Sequence, residues 1–336
     1  MNSKSNHTRF DKLTGQWVVY ASEYKGDVQL KRTGKIHRHS AEACRFCPQG
    51  GIESEVISQK AADDDVGWSL RVVPDICRSQ QQTRQFREGP YTAASNFSRT
   101  EYIIENPLHS LRLVSMSLTQ LADVAAAYAD RAWAMYDEQP QIESVLIYRK
   151  QRYDSARAFA HPHSQVLGFT CMPHFLQVQE KNAHDYYNEN SRCLLCDIVK
   201  YEQLSSRGTF YQNSSFISLV PFAAVTPFEI WIVPKVHAAD IYTINDIQAA
   251  HFAQALSFSL KALCKAAKNP DYSSILYTAS RTAQKSAFCH WIYKIKPQAR
   301  RQNDFEYCSG MHVNSSVPEN DARLLRAAVS TLLGGT

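Results

Sequence analysis

Two segments of the chain pair cysteines at a spacing that suits a metal, Cys44-x-x-Cys47 and Cys193-x-x-Cys196. A third segment, His161-Pro162-His163-Ser164-Gln165, sets two imidazoles and an amide at alternate positions. Thiolate sulfur and neutral imidazole are the ligands of tetrahedral zinc, and four of them close the site against water. Residues at alternate positions of a strand share one face. On a strand, a metal would hold His161 while His163 and Gln165 point the same way. A neutral imidazole, with an ordinary pKa of about 6.5, can attack phosphorus at neutral pH. A neighbouring amide can donate to a phosphoryl oxygen as charge develops on it. The chemistry that suits this arrangement is nucleotidyl transfer through a covalent nucleotidyl-histidine on His163.

The same landmarks occur twice along the chain. After the first cysteine pair comes Glu101-Tyr-Ile-Ile-Glu-Asn-Pro-Leu-His109, and after the second comes Glu229-Ile-Trp-Ile-Val-Pro-Lys-Val-His237. A further histidine follows in each half, His161 and His290. Apolar residues at helical spacing predict a long helix over 118–136 and another over 247–266. Short apolar runs at 145–148, 166–169, 275–277 and 291–295 read as strands. The pattern is a duplicated α+β unit with antiparallel sheets and a long helix in each half. The halves are taken as residues 1–178 and 179–336, with the polar stretch 178–190 as their connection. Two closed, structural zinc sites are expected: Cys44, Cys47, His109 and His161 in the first half, Cys193, Cys196, His237 and His290 in the second. The halves differ at one place. Where the first reads His161-Pro162-His163, the second reads His290-Trp291-Ile292. The metal set is kept twice and the extra imidazole once, which assigns structure to both halves and chemistry to the first.

Bulk properties narrow the class. The net charge is +5 over 336 residues and no long Lys/Arg tract occurs, which argues against a nucleic-acid-binding tail. The first residues are polar, unlike a secretory signal. The most apolar window, 216–234, contains Pro221, Pro227 and Glu229, so it reads as two buried strands joined by a turn and not as a membrane span. A cytoplasmic location follows, where close cysteine pairs point to metal before disulfide. No Gly-x-Ser-x-Gly elbow supports Ser/His/Asp hydrolysis, and no Gly-rich Walker or dinucleotide fingerprint is present.

At these residues the chain resembles the galactose-1-phosphate uridylyltransferase family of the histidine-triad superfamily. The opening run from Arg9 through Thr14, Gly15, Gln16 and Trp17 resembles the family's start. Arg71-Val-Val-Pro-Asp75 resembles its ribose-binding strand end, and Leu108-His109-Ser110 with His161 to Gln165 its zinc and catalytic motifs. The stretch from Phe305 to Asn314 resembles its sugar-side motif. The second metal set and Ser164 are most similar to an ADP-glucose phosphorylase-like branch. The resemblance implies histidine-triad-like units, a homodimer with active sites near the subunit interface, and a ping-pong reaction. In that reaction a nucleoside diphosphate sugar gives its nucleoside monophosphate to His163, and a phosphorylated acceptor takes it. It implies Gln165 and Ser164 as catalytic partners, the carbonyl of His161 as the orienter of the His163 ring, and Asp75 as a nucleotide contact. It implies Glu306, Ser309, Gly310 and Asn314 on the substrate side.

Departures from the family pattern cluster. Tyr24 and Asp27 stand where family members carry two arginines. The small-residue loop before the His-Pro-His is replaced by Lys150, Arg152, Ala156 and Ala158, with Arg149 and Arg157 close by. Lys150 and Arg152 are then the candidate phosphate contacts, since charge-assisted bonds of this kind are strong. An ordinary galactose 1-phosphate acceptor is not expected. Three readings stay open: a transferase for another nucleotide-activated or sugar-phosphate substrate; a phosphorylase or hydrolase of a nucleotide sugar or dinucleoside polyphosphate; and a nucleotide-binding regulator without catalysis.

Overall fold

A computed structural model describes residues 7–21, 44–48, 55–62, 66–75, 85–94, 98–151, 161–298 and 304–334. Tyr24, Asp27, Arg152, Ala156, Arg157 and Ala158 lie outside the described residues. The first half begins with a hairpin, β1 (His7–Asp11) and β2 (Gln16–Tyr20). Asp11 takes the backbone N–H of Leu13 and the hydroxyl of Thr14, and Gly15 closes the turn at φ 70°, where a side chain would be strained. Next come β3 (Ser58–Ala61), β4 (Trp68–Pro74), the hairpin β5 (Gln85–Glu88) and β6 (Tyr91–Ala94), β7 (Ser98–Ile104), α1 (Leu118–Glu138), β8 (Ser144–Gln151) and β9 (His163–Phe169). The second half runs through α2 (His174–Asn190), α3 (Leu194–Ser205), β10 (Thr209–Gln212), β11 (Phe216–Leu219), β12 (Ile230–Pro234), α4 (Asp246–Ala266), β13 (Tyr272–Tyr277) and β14 (Ile292–Pro297). It closes with α5 (Asp304–Ser309), β15 (His312–Asn314) and α6 (Pro318–Leu333).

Ten strands form one sheet in the order β10-β11-β12-β14-β13-β8-β9-β7-β4-β3, every neighbouring pair antiparallel. Outward from the centre the first half gives β8, β9, β7, β4, β3 and the second gives β13, β14, β12, β11, β10. The two runs have the same topology, so the α+β duplication read from the sequence is present in the fold. The halves meet where β8 pairs with β13. The division after residue 178 falls inside α2, and the stretch 178–190, taken as a plain connection, is helical. Leu176, Gln179 and Ala183 bury one stripe of that helix, which its many polar residues conceal in the sequence.

The two long helices start where the sequence places them. Ser117 with Gln120, and Asn245 with Gln248, form reciprocal capping boxes that satisfy the first backbone donors of α1 and α4. The helices pack together on one face of the sheet and share its main core, with Leu121, Val124, Tyr128 and Met135 from α1 and Phe252, Leu256, Leu260 and Leu263 from α4. On the other face of the second half, α2 and α3 supply Leu176, Leu194, Leu195 and Val199 against Trp231, Val233 and Ile292. Strand alternation divides β12 between the two layers, Ile230 and Ile232 to the first and Trp231 and Val233 to the second. The window 216–234 holds two buried strands, β11 and β12, as read from its prolines. Among the described residues no helix is long and apolar enough to cross a membrane.

At the start of α6, Asp321 is fully buried. It accepts the backbone N–H of Phe228, a residue held at φ 59°, at 2.8 Å, and the hydroxyl of Ser316. Burial pushes its carboxyl up to about 6, only partly offset by those two donors. The folded chain therefore holds this proton more tightly than the unfolded chain, and stability falls as pH rises from about 4 to 6. Relative to Asp321→Asn, the parent is expected to lose roughly 2–3 kcal/mol of stability between pH 4 and pH 7. Denaturant titrations of both proteins at the two pH values check this; a difference independent of pH would refute it.

Candidate active site and metal centres

Both sets of expected ligands come together. The ligand atoms of Cys44, Cys47, His109 and His161 lie within 4.8 Å of one another, and so do those of Cys193, Cys196, His237 and His290. In the first cluster the Sγ of Cys47 is 3.2 Å from Nδ1 of His109 and 3.5 Å from Nδ1 of His161, which is 3.8 Å from Sγ of Cys44. The second cluster repeats this at 3.4, 3.5 and 3.8 Å. Sulfur at about 2.3 Å and nitrogen at about 2.0 Å from a tetrahedral zinc stand roughly 3.5 Å apart, so each donor set fits one ion.

Carbonyl oxygens behind the rings fix the tautomer. His161 donates from Nε2 to the carbonyl of Asn106 at 2.7 Å, and His237 donates from Nε2 to that of Ser286 at 3.0 Å, so Nδ1 faces the sulfurs. Burial pulls His161 down to about 4, so the ring is neutral, as a ligand must be. Burial and the neighbouring Cys44 push the Cys47 thiol up to about 12. In the second cluster the hydrogen bond from Cys196 draws Cys193 far below the usual thiol range, and Cys196 rises in return. That pair shares a proton that a divalent cation would displace.

The nucleophile candidate opens β9. His163 stands opposite Ile104 of β7, while Gln165 lies between Tyr102 of β7 and Tyr148 of β8. His163 donates from Nδ1 to the carbonyl of His161 at 2.8 Å, which puts the ring's lone pair on Nε2. The rings of Phe46 and Tyr102 stand 5.1 and 5.7 Å from the imidazole. Burial lowers its pKa from the ordinary value, partly countered by the bond to the His161 carbonyl. Tyr148 donates to Oε1 of Gln165, which turns the amide so that its NH2 is the donor end.

The sequence profile described as galactose-1-phosphate uridyl transferase, N-terminal domain, matches residues 1–173. The chain belongs to the galactose-1-phosphate uridylyltransferase family. At the level of reaction class it is a nucleotidyltransferase. ADP-glucose phosphorylase of Arabidopsis thaliana is 26% identical over 337 residues, covering 97% of this chain and 94% of that protein. The galactose-1-phosphate uridylyltransferase of Thermotoga maritima is 22% identical, covering 95% and 97%. The crystal structure of the Arabidopsis thaliana ADP-glucose phosphorylase with bound ADP-glucose shares the fold, with a TM-score of 0.79 at 23% identity over 96% of this chain and 99% of that one.

Other residues singled out by sequence fall differently on this uridylyltransferase-family frame. Ser164 does not share the face of His163 and Gln165. It points through the sheet into the main core, where its hydroxyl meets the phenol of Tyr128 at 2.6 Å and Glu105 at 2.6 Å. Alternation along β9 imposes this, and it removes Ser164 from direct contact with a substrate on the His163 side. Asp75 follows β4, accepts from the Tyr102 hydroxyl at 3.4 Å and lies 3.9 Å from Arg45, so it is linked to the ring beside His163. Lys150 is exposed near the end of β8, 5.3 Å from the Tyr148 ring. Arg149 is no part of a charged loop: it is buried in β8, with Nε 2.9 and 3.1 Å from the two carboxylate oxygens of Glu105. Glu306, Ser309, Gly310 and Asn314 belong to α5, β15 and the turn between them, and β15 pairs with β2 in a separate sheet. Glu306 accepts from the N–H of Val313, Ser309 donates to the carbonyl of Phe305, and Gly310 sits at φ 69°. Asn314 is buried and donates to the carbonyl of Ala224 at 2.9 Å.

Sequence reasoning did not single out Arg45, Phe46 and Glu105. The interior of the first Cys-x-x-Cys and the alternation along 101–105 were the signals that could have found them. The second half shows what its own counterpart of the site became. Trp231 pairs with Lys294 as Tyr102 pairs with Gln165, which puts Ile292 in the place of His163. Lys294 is buried, 4.3 Å over Trp231, and donates to Gln179 of α2 at 3.3 Å. Burial draws it down to about 8, against the pull of Asp11 and Glu229. Leu13, Leu176 and Leu194 fill most of the rest, leaving a cavity of about 60 Å³. A larger cavity, about 530 Å³, lies between β1, α3 and the start of α6. Its carboxylates are engaged by the chain itself, Glu202 by the N–H groups of Gly208 and Thr209, and Glu319 by Arg9 and Arg207.

Elemental analysis of the purified protein is expected to find two divalent ions per chain, one for each cluster. Changing Cys193 and Cys196 together to serine should remove one ion and leave the other. Fewer than about one ion per chain in the parent would exclude closed sites in both halves.

Proposed function

We propose that the protein transfers a nucleoside monophosphate from a nucleoside diphosphate sugar to a phosphorylated acceptor, by a ping-pong mechanism through a covalent nucleotidyl-histidine on His163. The observation that carries this reading is the 2.8 Å bond from Nδ1 of His163 to the carbonyl of His161, because it fixes the tautomer and leaves Nε2 as the attacking atom. Nε2 forms a bond to the α-phosphorus, and the bond from that phosphorus to the bridging oxygen breaks, releasing a sugar 1-phosphate. The acceptor's phosphate oxygen then attacks phosphorus and restores the imidazole. The NH2 of Gln165, turned by Tyr148, donates to the phosphoryl oxygens as their charge grows. Asp75, in this reading, holds the ribose beside Tyr102, and Lys150 and Arg152 meet the phosphates. Ser164 acts only from beneath the strand.

Zinc is the ion this reading assigns to both clusters, since two thiolates and two imidazoles are its usual tetrahedral set. It ties distant segments together and takes no part in the chemistry. The first half, ending near residue 178, is the catalytic one. Family resemblance adds a homodimer in which Glu306, Ser309, Gly310 and Asn314 serve the substrate side near the interface. The close cysteine pairs, read as metal ligands, suit a cytoplasmic location.

A second reading is favoured by the 26% identity to ADP-glucose phosphorylase across almost the whole chain. Here the same intermediate forms, the base is adenine, and inorganic phosphate is the acceptor. Incubation with UDP-, ADP- and GDP-sugars labelled in the α-phosphate is expected to trap acid-labile label that disappears in His163→Ala. Chasing the labelled protein with glucose 1-phosphate or with phosphate then separates the two readings by product. Nucleotide binding with no label, unchanged by His163→Ala, would exclude both and leave a binding protein.

A further inference from the structure

Beneath the strand that carries His163 lies a buried polar network that the reaction as described does not use. The backbone N–H of Glu105 donates to the carbonyl of Pro162 at 3.0 Å. Its side chain accepts from the hydroxyl of Ser164 at 2.6 Å. Pro162 and Ser164 are the two chain neighbours of His163, so one residue grips the backbone on one side and the side chain on the other. The next residue, Asn106, supplies the carbonyl that orients His161 at 2.7 Å, and His161 in turn supplies the carbonyl that orients His163. Glu105 is itself held. Both its oxygens meet Nε of Arg149 on β8, and Arg149 and Glu105 are both buried. Ser164 is also bonded to Tyr128 of α1, and the Tyr128 ring stacks on Tyr293 of the second half.

A fully buried ion pair is a poor stabiliser, because desolvation of both charges offsets their attraction. Apolar residues would fill the same space at no such cost. Its presence directly under the nucleophile, on a residue that touches both neighbours of that nucleophile, calls for another explanation. We propose that Glu105, neutralised by Arg149, is the positioning residue of the nucleotidyl site. It fixes the stretch 162–164 so that Nε2 of His163 meets the α-phosphorus in line. A displacement of about 1 Å in such a group can cost on the order of a hundredfold in rate. This inference rests on His163 being the nucleophile.

The test uses the metal-loaded protein and three variants: Ser164→Ala, Glu105→Gln, and Glu105→Gln combined with Arg149→Met. The double variant removes both buried charges together, so it keeps the question open if Glu105→Gln alone fails to fold. The single-turnover rate of His163 labelling is expected to fall at least about tenfold in Ser164→Ala and in the double variant. Metal content and the donor concentration for half-maximal labelling should stay within about twofold of the parent. An unchanged labelling rate in folded, metal-loaded variants would overturn the proposal. So would a rate that falls only in step with metal loss. An independent reading comes from the ring-nitrogen proton of His163, followed by NMR on protein with 15N-labelled histidine. Its bond to the His161 carbonyl should be protected from exchange in the parent and should open to solvent in the variants. If the parent forms no label at all, the nucleophile reading fails, and this proton still decides whether Glu105 positions the ring; equal protection in parent and variants would then overturn the inference.

Discussion

β7 and β9 pair with Ile104 opposite His163, and the alternation of a strand carries that register through the whole site. His163 and Gln165 lie on one face, and Ser164 and Val166 enter the core under α1 on the other. A slip of one residue would send the imidazole into the hydrophobic layer and turn the serine outward. The register is held from both ends. Towards the start of β9, the Glu105–Pro162 bond and the ring of His161 tie the strand to the first Cys/His cluster. Towards its far end, Gly168 sits where a Cβ would lie 2.4 Å from the tip of the Ile142 side chain, so a larger residue there would have to displace that buried side chain. Cys/His cluster, ion pair and close packing all act on one short strand.

The duplicated half shows what the same frame becomes without the second histidine. It keeps a cluster of the same four ligand types at nearly the same spacings. It has Ile292 in the place of His163 and Lys294 in the place of Gln165, and it lays α2 over them. In the first half the corresponding face carries Phe46, Tyr102 and Tyr148 around an imidazole. A lysine caged by Trp231 and Tyr277 and bonded to Gln179 belongs to packing. The folded arrangement therefore separates what both halves hold, four potential metal ligands each, from what the first half alone carries, the histidine at 163.

Much of this was legible in the sequence because it rests on spacing. Ligand sets, long helices and the repeat depend on residue type at fixed intervals, and all recur in the structure. Ser164, which the resemblance implies as a catalytic partner, faces the core, because neighbours on a strand face opposite ways. Arg149 was read as loop charge because a basic run looks solvated, and its buried partner Glu105 lies 44 residues earlier in the chain. α2 was read as a linker because its apolar stripe is thin and its other faces are polar. Sequence spacing also aligned Ile103 with Trp231, whereas strand pairing matches Trp231 with Tyr102. One half carries its proline a position earlier, and only pairing across the sheet reveals the offset.

The seam between the halves carries a record of its own. Tyr148 of β8 faces Gln165 as Ile275 of β13 faces Lys294, which makes Tyr148 and Ile275 counterparts in the repeat. These two residues stand directly opposite each other where β8 meets β13. A residue facing its own equivalent across antiparallel strands is what a two-fold axis between identical edges produces. The chain thus has the geometry of a symmetric dimer whose two copies have been joined end to end. Within one chain the two copies need not be the same, and one carries a histidine where the other carries isoleucine.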